Sequence, residues 1–261
     1  MAGMTSSPAL QPATRPYGDD PAQVYDVHQP SPGRAPRPAT VLVVHGGFWR
    51  AAYDRAHAAP EVAAFADAGY TVAVAEYRRV GMPGGGVPGT LDDVRACVAA
   101  VLTDPDLPHP VVLVGHSAGG HLAAWVASQP VVGDAAAGAV AGVVSLAGVV
   151  DLGEADRLGL GDGAARAFVG SGPGTSEWTS ADPMTTPPPA VPVRLLWGSA
   201  DDVVPTEVGA GYLARAQADG SDVTSEVVPG ADHFALIDPG SAAFDHVLAA
   251  VAALLPSAPR P

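Results

Sequence analysis

The sequence predicts an α/β protein with a mostly parallel central sheet and helices on both faces. Two observations lead to this prediction. Short apolar segments rich in Val and Leu alternate along the chain with helix-like segments, which is typical of strand–helix–strand units. Most strand-like segments are apolar throughout, as expected for strands that are covered on both sides. A length of 261 residues fits one such domain.

Each predicted element has a local reason. The first helix begins at Pro60 and ends at Gly69, the usual placement of these residue types at helix ends. Thr90 and Asp93 have nearly the spacing of a capping box, and Gly220 stands where a helix can end. In chain order the predicted elements are strand Thr40–His45, helix Pro60–Gly69, strand Tyr70–Tyr77, helix Thr90–Leu102, strand Pro110–His116, helix Ala118–Gln129, strand Ala139–Val150, strand Val191–Gly198, helix Pro205–Gly220, strand Ser221–Pro229 and helix Gly240–Leu255.

One segment, 151–190, interrupts this alternation. It is rich in Gly and Pro and has no strong period, and connections of this length are usually functional or mobile. We expect it to form a small excursion over the active site rather than a second domain. We expect residues 17–255 to form a single domain, with a flexible N-terminal tail over 1–16 and a short C-terminal tail over 256–261.

The composition limits the function classes. Asp and Glu number 27 against 13 Lys and Arg, giving a net charge of −14, which disfavours nucleic-acid and membrane partners. The single cysteine, Cys97, cannot form an intramolecular disulfide and lies in a helical pattern, so we expect it in the core. The N-terminus does not resemble a signal peptide and no apolar stretch is long enough to span a bilayer, so we expect a cytoplasmic protein. A homodimer is compatible with the sequence.

The stretch Val111–Gly120 ends an apolar strand at a serine surrounded by small residues. Its residues Gly115-His116-Ser117-Ala118-Gly119 fit G-x-S-x-G, the pattern of a nucleophile elbow. In such an elbow the backbone turns so sharply that side chains at the two glycine positions would collide. We therefore predict Ser117 as a nucleophile, with the Ala118 N–H directed at the reacting centre.

A serine nucleophile needs a base, and the base needs an anionic group that orients it. Asp201 and Asp202 follow the strand that ends at Gly198, and His233 follows the next strand. We predict His233 as the base and Asp201 as the orienting carboxylate, with Asp202 as the alternative. The other histidines are expected to be structural or solvated.

The remaining requirement is a set of donors for the oxyanion. Gly46 and Gly47 follow the first predicted strand and let the backbone curl, so Gly47 and Phe48 are the predicted donors beside Ala118. The residues proposed to line a compact, aromatic-friendly pocket are Phe48, Trp49, His116, Trp178 and Phe234. For Trp178 an equal alternative is that it anchors the 151–190 excursion.

The motifs "HGGFW", "GHSAGG", "GSADDVVP" and "GADHF", in this order, resemble the α/β-hydrolase superfamily. The Gly-Gly-aromatic-Trp loop, with "YGDDPAQVYDVHQP" and "EYRRVG", is similar to kynurenine formamidase (arylformamidase) and its esterase relatives. The resemblance runs from about Tyr17 to Leu255. It departs from the hormone-sensitive-lipase branch, in which a third glycine stands at the place of Phe48.

The resemblance implies a serine hydrolase without cofactor or metal that acts on small esters or aryl formamides. A general short-chain carboxylesterase without formamidase activity and a non-catalytic hydrolase-like binding protein are the alternatives. "GGGVPG" (Gly84–Gly89) also fits a dinucleotide-binding pattern, but it lies some seven residues beyond the strand end, so a flexible loop is the preferred interpretation. A neutral histidine base predicts activity that falls below about pH 6 to 7.

Overall fold

The core of the molecule is an eight-stranded sheet in the order β1-β2-β4-β3-β5-β6-β7-β8. The computed structural model describes residues 12–136 and 138–256. The first two strands pair antiparallel and the other six are parallel. The strands are β1 Ala13–Pro16, β2 Val24–His28, β3 Thr40–Val44, β4 Thr71–Ala75, β5 Val111–His116, β6 Val140–Leu146, β7 Val193–Gly198 and β8 Val223–Val228.

The helices follow the strands in regular alternation from β3 onward. They are α1 Ala59–Asp67, α2 Gly89–Thr103, α3 Ala118–Val126, α4 Pro130–Gly133, α5 Leu152–Arg157, α6 Ala164–Val169, α7 Ser176–Ala181, α8 Glu207–Ala218 and α9 Ala243–Leu254. The predicted mostly parallel sheet with helices is confirmed. The helix end predicted at Gly220 is also confirmed, because Gly220 adopts a left-handed φ of 76° just beyond α8. None of the described helices is long and apolar enough to cross a membrane.

The order of the strands fixes where loops from opposite faces meet. Strand β4 lies on one side of β3 and β5 on the other, so right-handed crossovers place α1 on one face and α2 and α3 on the opposite face. Helix α9 returns to the α1 face, where Phe244 packs against Phe65 at 5.5 Å between ring centroids. The crevice between the carboxyl ends of β3 and β5 is therefore the expected ligand site of this topology.

The prediction of a flexible N-terminal tail over 1–16 is corrected in part. Residues 1–11 and 257–261 of the predicted tails lie outside the described residues, but Ala13–Pro16, assigned to the flexible tail, forms the edge strand β1. The 151–190 segment has regular structure, because it contains α5, α6 and α7. These helices have six residues each, too few to show a helical period in the sequence.

The predicted capping box of α2 is also wrong. The helix begins at Gly89, and the Thr90 hydroxyl donates to Arg78 O (2.6 Å) instead of capping. Asp93 accepts from Arg78 N at 2.9 Å and from Arg78 Nε at 2.8 Å, so this carboxylate ties the helix to the preceding loop. Cys97 lies in the core as expected, and burial raises the pKa of its thiol.

Candidate active site

Ser117 lies in a strained turn between β5 and α3. Its backbone has φ 55° and ψ −118°, a conformation that non-glycine residues rarely adopt. A side chain at Gly115 would overlap Gly119 O, and one at Gly119 would overlap Val44 O. The predicted steric reason for both glycines is confirmed, and the turn presents the Ser117 hydroxyl above the carboxyl end of the sheet.

Asp201 and His233 meet beside this turn, although 32 positions separate them. The His233 ring donates from Nδ1 to Asp201 Oδ2 at 2.8 Å. The other carboxylate oxygen, Oδ1, accepts from Val203 N (2.9 Å) and Val204 N (2.8 Å). The two residues follow β7 and β8, which are neighbouring parallel strands, so their loops leave the same edge of the sheet.

The buried position of Asp201 is compensated by its partners. Burial alone would raise the pKa of Asp201, but the hydrogen bonds from His233 and from the Val203 and Val204 amides together hold that pKa below its usual value. Asp201 is therefore a carboxylate at neutral pH. Asp202, the alternative from the sequence, is exposed and has no such contact.

His116 supports the loop that carries His233. Its Nε2 donates to His233 O at 2.8 Å, and the two rings lie 4.5 Å apart between centroids. Burial, and then the nearby charge of His233, lower the pKa of His116 to about 3, so it stays neutral. His116 is 2% exposed, about as buried as Ser117 and His233, so its place in a substrate pocket stays a prediction.

Ser117 Oγ and His233 Nε2 are the two atoms of this group that remain without a partner. Neither makes a hydrogen bond among the described residues, and neither belongs to the fully buried polar atoms that lack one. Neither atom is therefore completely buried, although both residues are only 3% exposed. In proteins without substrate, hydrogen bonds of this kind are often long or poorly aligned and tighten on binding.

The β3 loop, Gly46–Asp54, curls beside Ser117. Because β3 and β5 pair in register with Val44 opposite Gly115, Gly46 lies opposite Ser117. Three successive residues have left-handed backbone, with φ 110° at Gly47, 51° at Phe48 and 55° at Trp49.

This curl leaves backbone donors free near the serine. In the part of the chain that the structure describes, the N–H groups of Gly47, Phe48 and Ala118 donate to no acceptor. Ala118 is the first residue of α3, where helix N–H groups lack internal partners. Such donors can stabilise a developing oxyanion if it forms within about 3 Å of them.

Two of the aromatic residues predicted for the pocket belong to the core instead. Trp49 is 1% exposed, stacks on Phe168 at 4.6 Å and donates from Nε1 to His121 Nδ1 at 3.3 Å. Trp178 is 4% exposed and donates from Nε1 to Asp182 Oδ2 at 3.3 Å, which agrees with the alternative that it anchors the excursion. The structure thus packs both rings into the core, and the prediction that Trp49 and Trp178 contact substrate stays a prediction.

Phe48 and Phe234 remain as accessible aromatic groups. Phe234 is 53% exposed beside His233, with 5.1 Å between the ring centroids. Phe48 is half-buried, and its ring packs on Gly161 of the 151–190 excursion. Arg50 also donates to Gly161 O, so the excursion contacts the β3 loop directly.

The sequence analysis missed Tyr53 and Glu76. Tyr53 is 44% exposed and packs on Gly47, so that any side chain at Gly47 would overlap it. Glu76 directly follows β4 and is buried against the β3 loop. Its position one residue beyond a strand end is the same signal that identified the loop of Asp201.

The fold and this arrangement of a carboxylate, a histidine and a serine on a strained turn define the chain as an α/β-hydrolase. The chain belongs to the BD-FAE family, whose model matches residues 25–212. A comparison with curated proteins finds none that matches.

Solved structures share the fold over nearly the whole chain. A truncated carbohydrate esterase from gut microbiota aligns with TM-score 0.79 and 18% identity over 95% of this chain and 98% of its own. Esterase B from Lactobacillus rhamnosis aligns with TM-score 0.78 and 20% identity over 95% and 85% of the two chains. A butyrate-bound thermophilic esterase from the planctomycete Thermogutta terrifontis aligns with TM-score 0.72 and 21% identity over 95% and 94%.

Proposed function

We propose that this protein is a serine hydrolase that cleaves small carboxylic esters through an acyl-enzyme. The observation that carries the proposal is the buried Asp201–His233 hydrogen bond of 2.8 Å beside a serine with φ 55°. A carboxylate and a histidine in this order after the serine, on the loops of successive strands, are typical of α/β-hydrolase catalysis.

The first half of the proposed reaction acylates the enzyme. His233 Nε2 takes the Ser117 Oγ proton as the oxygen attacks the ester carbonyl carbon. The negative charge that forms on the carbonyl oxygen is held by the free N–H groups of Gly47, Phe48 and Ala118. His233 then gives the proton to the departing alcohol oxygen, and the C–O bond to it breaks.

The second half returns the enzyme to its starting state. His233 takes a proton from a water molecule, whose oxygen attacks the acyl carbon of the Ser117 ester. The same donors hold the second oxyanion, and His233 returns the proton to Ser117 Oγ as the acid leaves. Asp201 holds the Nδ1–H tautomer of His233 throughout and stabilises the imidazolium that forms twice per cycle.

The accessible side chains support short acyl groups on aromatic or other planar leaving groups. Tyr53 and Phe234, at 44% and 53% exposure, flank the β3 loop and His233. The Trp49 ring packs inward on Phe168 and His121, which is consistent with a short acyl group beside the loop. The Thermogutta esterase, which shares the fold, was captured with butyrate.

An aryl formamide is the second candidate substrate class within this proposal. The favouring observation is again the pair of exposed aromatic groups, since an aniline-type leaving group presents the same flat face as a phenol. A formyl group is the smallest acyl group, so it needs no more room beside the β3 loop than acetyl does.

A substrate panel with wild type and Ser117→Ala tests the proposal. We expect wild type to hydrolyse p-nitrophenyl acetate and butyrate and to be labelled by a fluorophosphonate, and Ser117→Ala to lose at least about 10³-fold in kcat and all labelling. N-formylkynurenine in the same panel decides between the classes, because negligible turnover leaves an esterase without formamidase activity. A folded wild type that neither reacts nor is labelled would instead be a non-catalytic binding protein.

A further inference from the structure

Both ends of the β3 loop contact the same buried carboxylate. At the entry, His45 Nε2 lies 3.2 Å from Glu76 Oε1 and His45 Nδ1 lies 2.8 Å from Gly46 O, and a neutral imidazole donates one of these two hydrogen bonds. At the exit, Arg55 N donates to Glu76 Oε2 at 3.0 Å. The Glu76 side chain is 4% exposed, so little water competes for these bonds.

Further contacts of the segment after β4 hold the middle of the loop. Arg79 Nη1 pairs with Glu76 Oε1 at 2.7 Å and also donates to Tyr53 O. Val80 N donates to Trp49 O at 2.8 Å. The Arg79 guanidinium therefore links the Glu76 carboxylate to Tyr53, which packs on Gly47 in the β3 loop.

The stacking of His45 fixes the direction of the entry contact. The His45 ring lies on the Tyr77 ring at 4.5 Å with 13° between the planes, and Tyr77 OH donates to His45 O at 2.7 Å. Tyr77 N also donates to Glu76 Oε1 at 3.1 Å. The His45 ring can therefore move away from the Glu76 carboxylate only if several of these contacts break together.

The loop needs such support because its backbone is strained. Left-handed backbone at two non-glycine residues, Phe48 and Trp49, persists only where the surroundings determine it. The same curl frees the Gly47 and Phe48 N–H groups. A small shift of these donors would weaken their bonds to an oxyanion much more than it would weaken binding of the neutral substrate.

We propose that Glu76 is a positioning residue that holds both ends of the β3 loop and so sets the oxyanion donors; this inference rests on the proposed hydrolase function. It acts through His45, Arg55 and Arg79 and touches no reacting atom. Its removal should therefore affect the transition state and leave ground-state binding nearly unchanged.

The test measures wild type, Glu76→Gln and Asp93→Asn with two compounds. One is the substrate p-nitrophenyl acetate, and the other is the inhibitor phenyl trifluoromethyl ketone, whose carbonyl is attacked by the serine to form an oxyanion. We expect Glu76→Gln to lower kcat by about 10- to 100-fold and to weaken the ketone by a similar factor, with KM within about twofold of wild type. Melting temperatures are measured in parallel.

Asp93→Asn is the matched control. Asp93 is 1% exposed and is bound by the neighbouring Arg78 at 2.6 Å, but it does not contact the β3 loop. We expect this variant to lose stability while its kcat and ketone affinity stay within about twofold of wild type. If Glu76→Gln fails to fold, Glu76→Asp replaces it in the test. Its side chain keeps the charge but is one methylene too short to reach both loop ends, so we expect the same loss of kcat and ketone affinity.

Three results would overturn the inference. Unchanged kcat and ketone affinity in a Glu76 variant would mean that the loop holds its shape without this carboxylate. Equal losses in Glu76→Gln and Asp93→Asn would mean a general effect of instability. An inactive wild type that no fluorophosphonate labels would remove the proposed function, and this inference with it, whereas an active wild type confines any failure to Glu76.

Discussion

At the scale of single residues, the Asp201 side chain is oriented by hydrogen bonds to both of its carboxylate oxygens. Oδ1 is held by the Val203 and Val204 amides, at 2.9 and 2.8 Å, so only Oδ2 can face His233. The orientation of the carboxylate is thus set by its own loop, before any contact with the histidine. Asp202 points to solvent because the turn that gives Asp201 these amides directs its neighbour outward.

This geometry predicts the effect of Asp201→Asn. The amide oxygen would keep the place of Oδ1, since two backbone N–H groups require an acceptor there, and the NH₂ would face His233 Nδ1. His233 would then carry its proton on Nε2 and could not accept one from Ser117, so we expect kcat to fall about 10⁴-fold with little change in melting temperature. Steady-state kinetics and thermal unfolding check this, with Asp202→Asn as the control. Activity within tenfold of wild type would show that Asp201 does not select the tautomer.

Sequence reasoning succeeds for residues whose place depends on a strand end. Ser117 and Asp201 follow apolar strands and His233 follows the partly polar strand β8, and parallel strands bring their carboxyl ends to one edge. It fails where burial depends on distant partners. Trp49 stands two residues after Gly47 in the chain, but Phe168 and His121 decide that its ring packs inward.

At the scale of elements, one side chain, Asp182, joins the two ends of the helical part of the 151–190 excursion. Asp182 Oδ1 accepts from Leu152 N (3.2 Å) and Met184 N (3.0 Å), and its Oδ2 accepts from the Trp178 indole. These contacts join the start of α5 to the end of α7. The sequence could not predict this, because the six-residue helices are too short for a period and their partner contacts span 30 residues.

The antiparallel edge of the sheet was missed for a similar reason. Strand β1 has four residues, Ala13–Pro16, which include an arginine and a proline and carry no apolar alternation. Its place is set by Arg15, which pairs with Asp104 on the connection after α2. Propensity alone cannot indicate so short a strand, which is fixed by its pairing with β2 and by a long-range ion pair.

Helix α1 contains a buried carboxyl group, that of Glu61, whose contribution to the free energy of unfolding depends on pH. Glu61 is 2% exposed, its Oε2 has no hydrogen-bond partner among the residues that the structure describes, and burial raises the pKa of Glu61 to about 8. A folded-state pKa above the unfolded value means that the stability contribution is full below about pH 4.5 and is lost as the pH rises toward about 8.

Glu61→Gln should remove this dependence. The amide cannot ionise, so the variant should gain on wild type by up to about 1.4 kcal/mol of unfolding free energy per pH unit between pH 5.5 and 7.5. Urea unfolding at the two pH values measures the change. Glu207→Gln, which alters an exposed acid in the first turn of α8, should show no such trend. A constant difference between wild type and Glu61→Gln would mean that Glu61 is ionised in the folded protein.

At the scale of the whole molecule, the acidic surface is not neutralised by the basic side chains. The chain carries 27 acidic residues and 13 basic ones, for a net charge of −14. Most described arginines form an ion pair with a carboxylate, namely Arg15, Arg55, Arg78, Arg79, Arg95, Arg157, Arg166, Arg194 and Arg215. The field around the molecule therefore remains negative at distances beyond single ion pairs.

This field predicts discrimination between neutral and anionic substrates. At low ionic strength kcat/KM for p-nitrophenyl acetate should exceed that for mono-p-nitrophenyl succinate by at least about threefold, because the molecule repels the free carboxylate. Raising NaCl from 0.02 to about 0.3 M shortens the screening length to well under 10 Å and should shrink the ratio toward a salt-independent value set by the site itself. Arg50 acts in the opposite sense, since its guanidinium lies 5.7 Å from the Phe48 ring and makes no ion pair with a described carboxylate. A preference for the succinate ester that weakens with salt and disappears in Arg50→Gln would show that this local cation outweighs the charge of the whole surface.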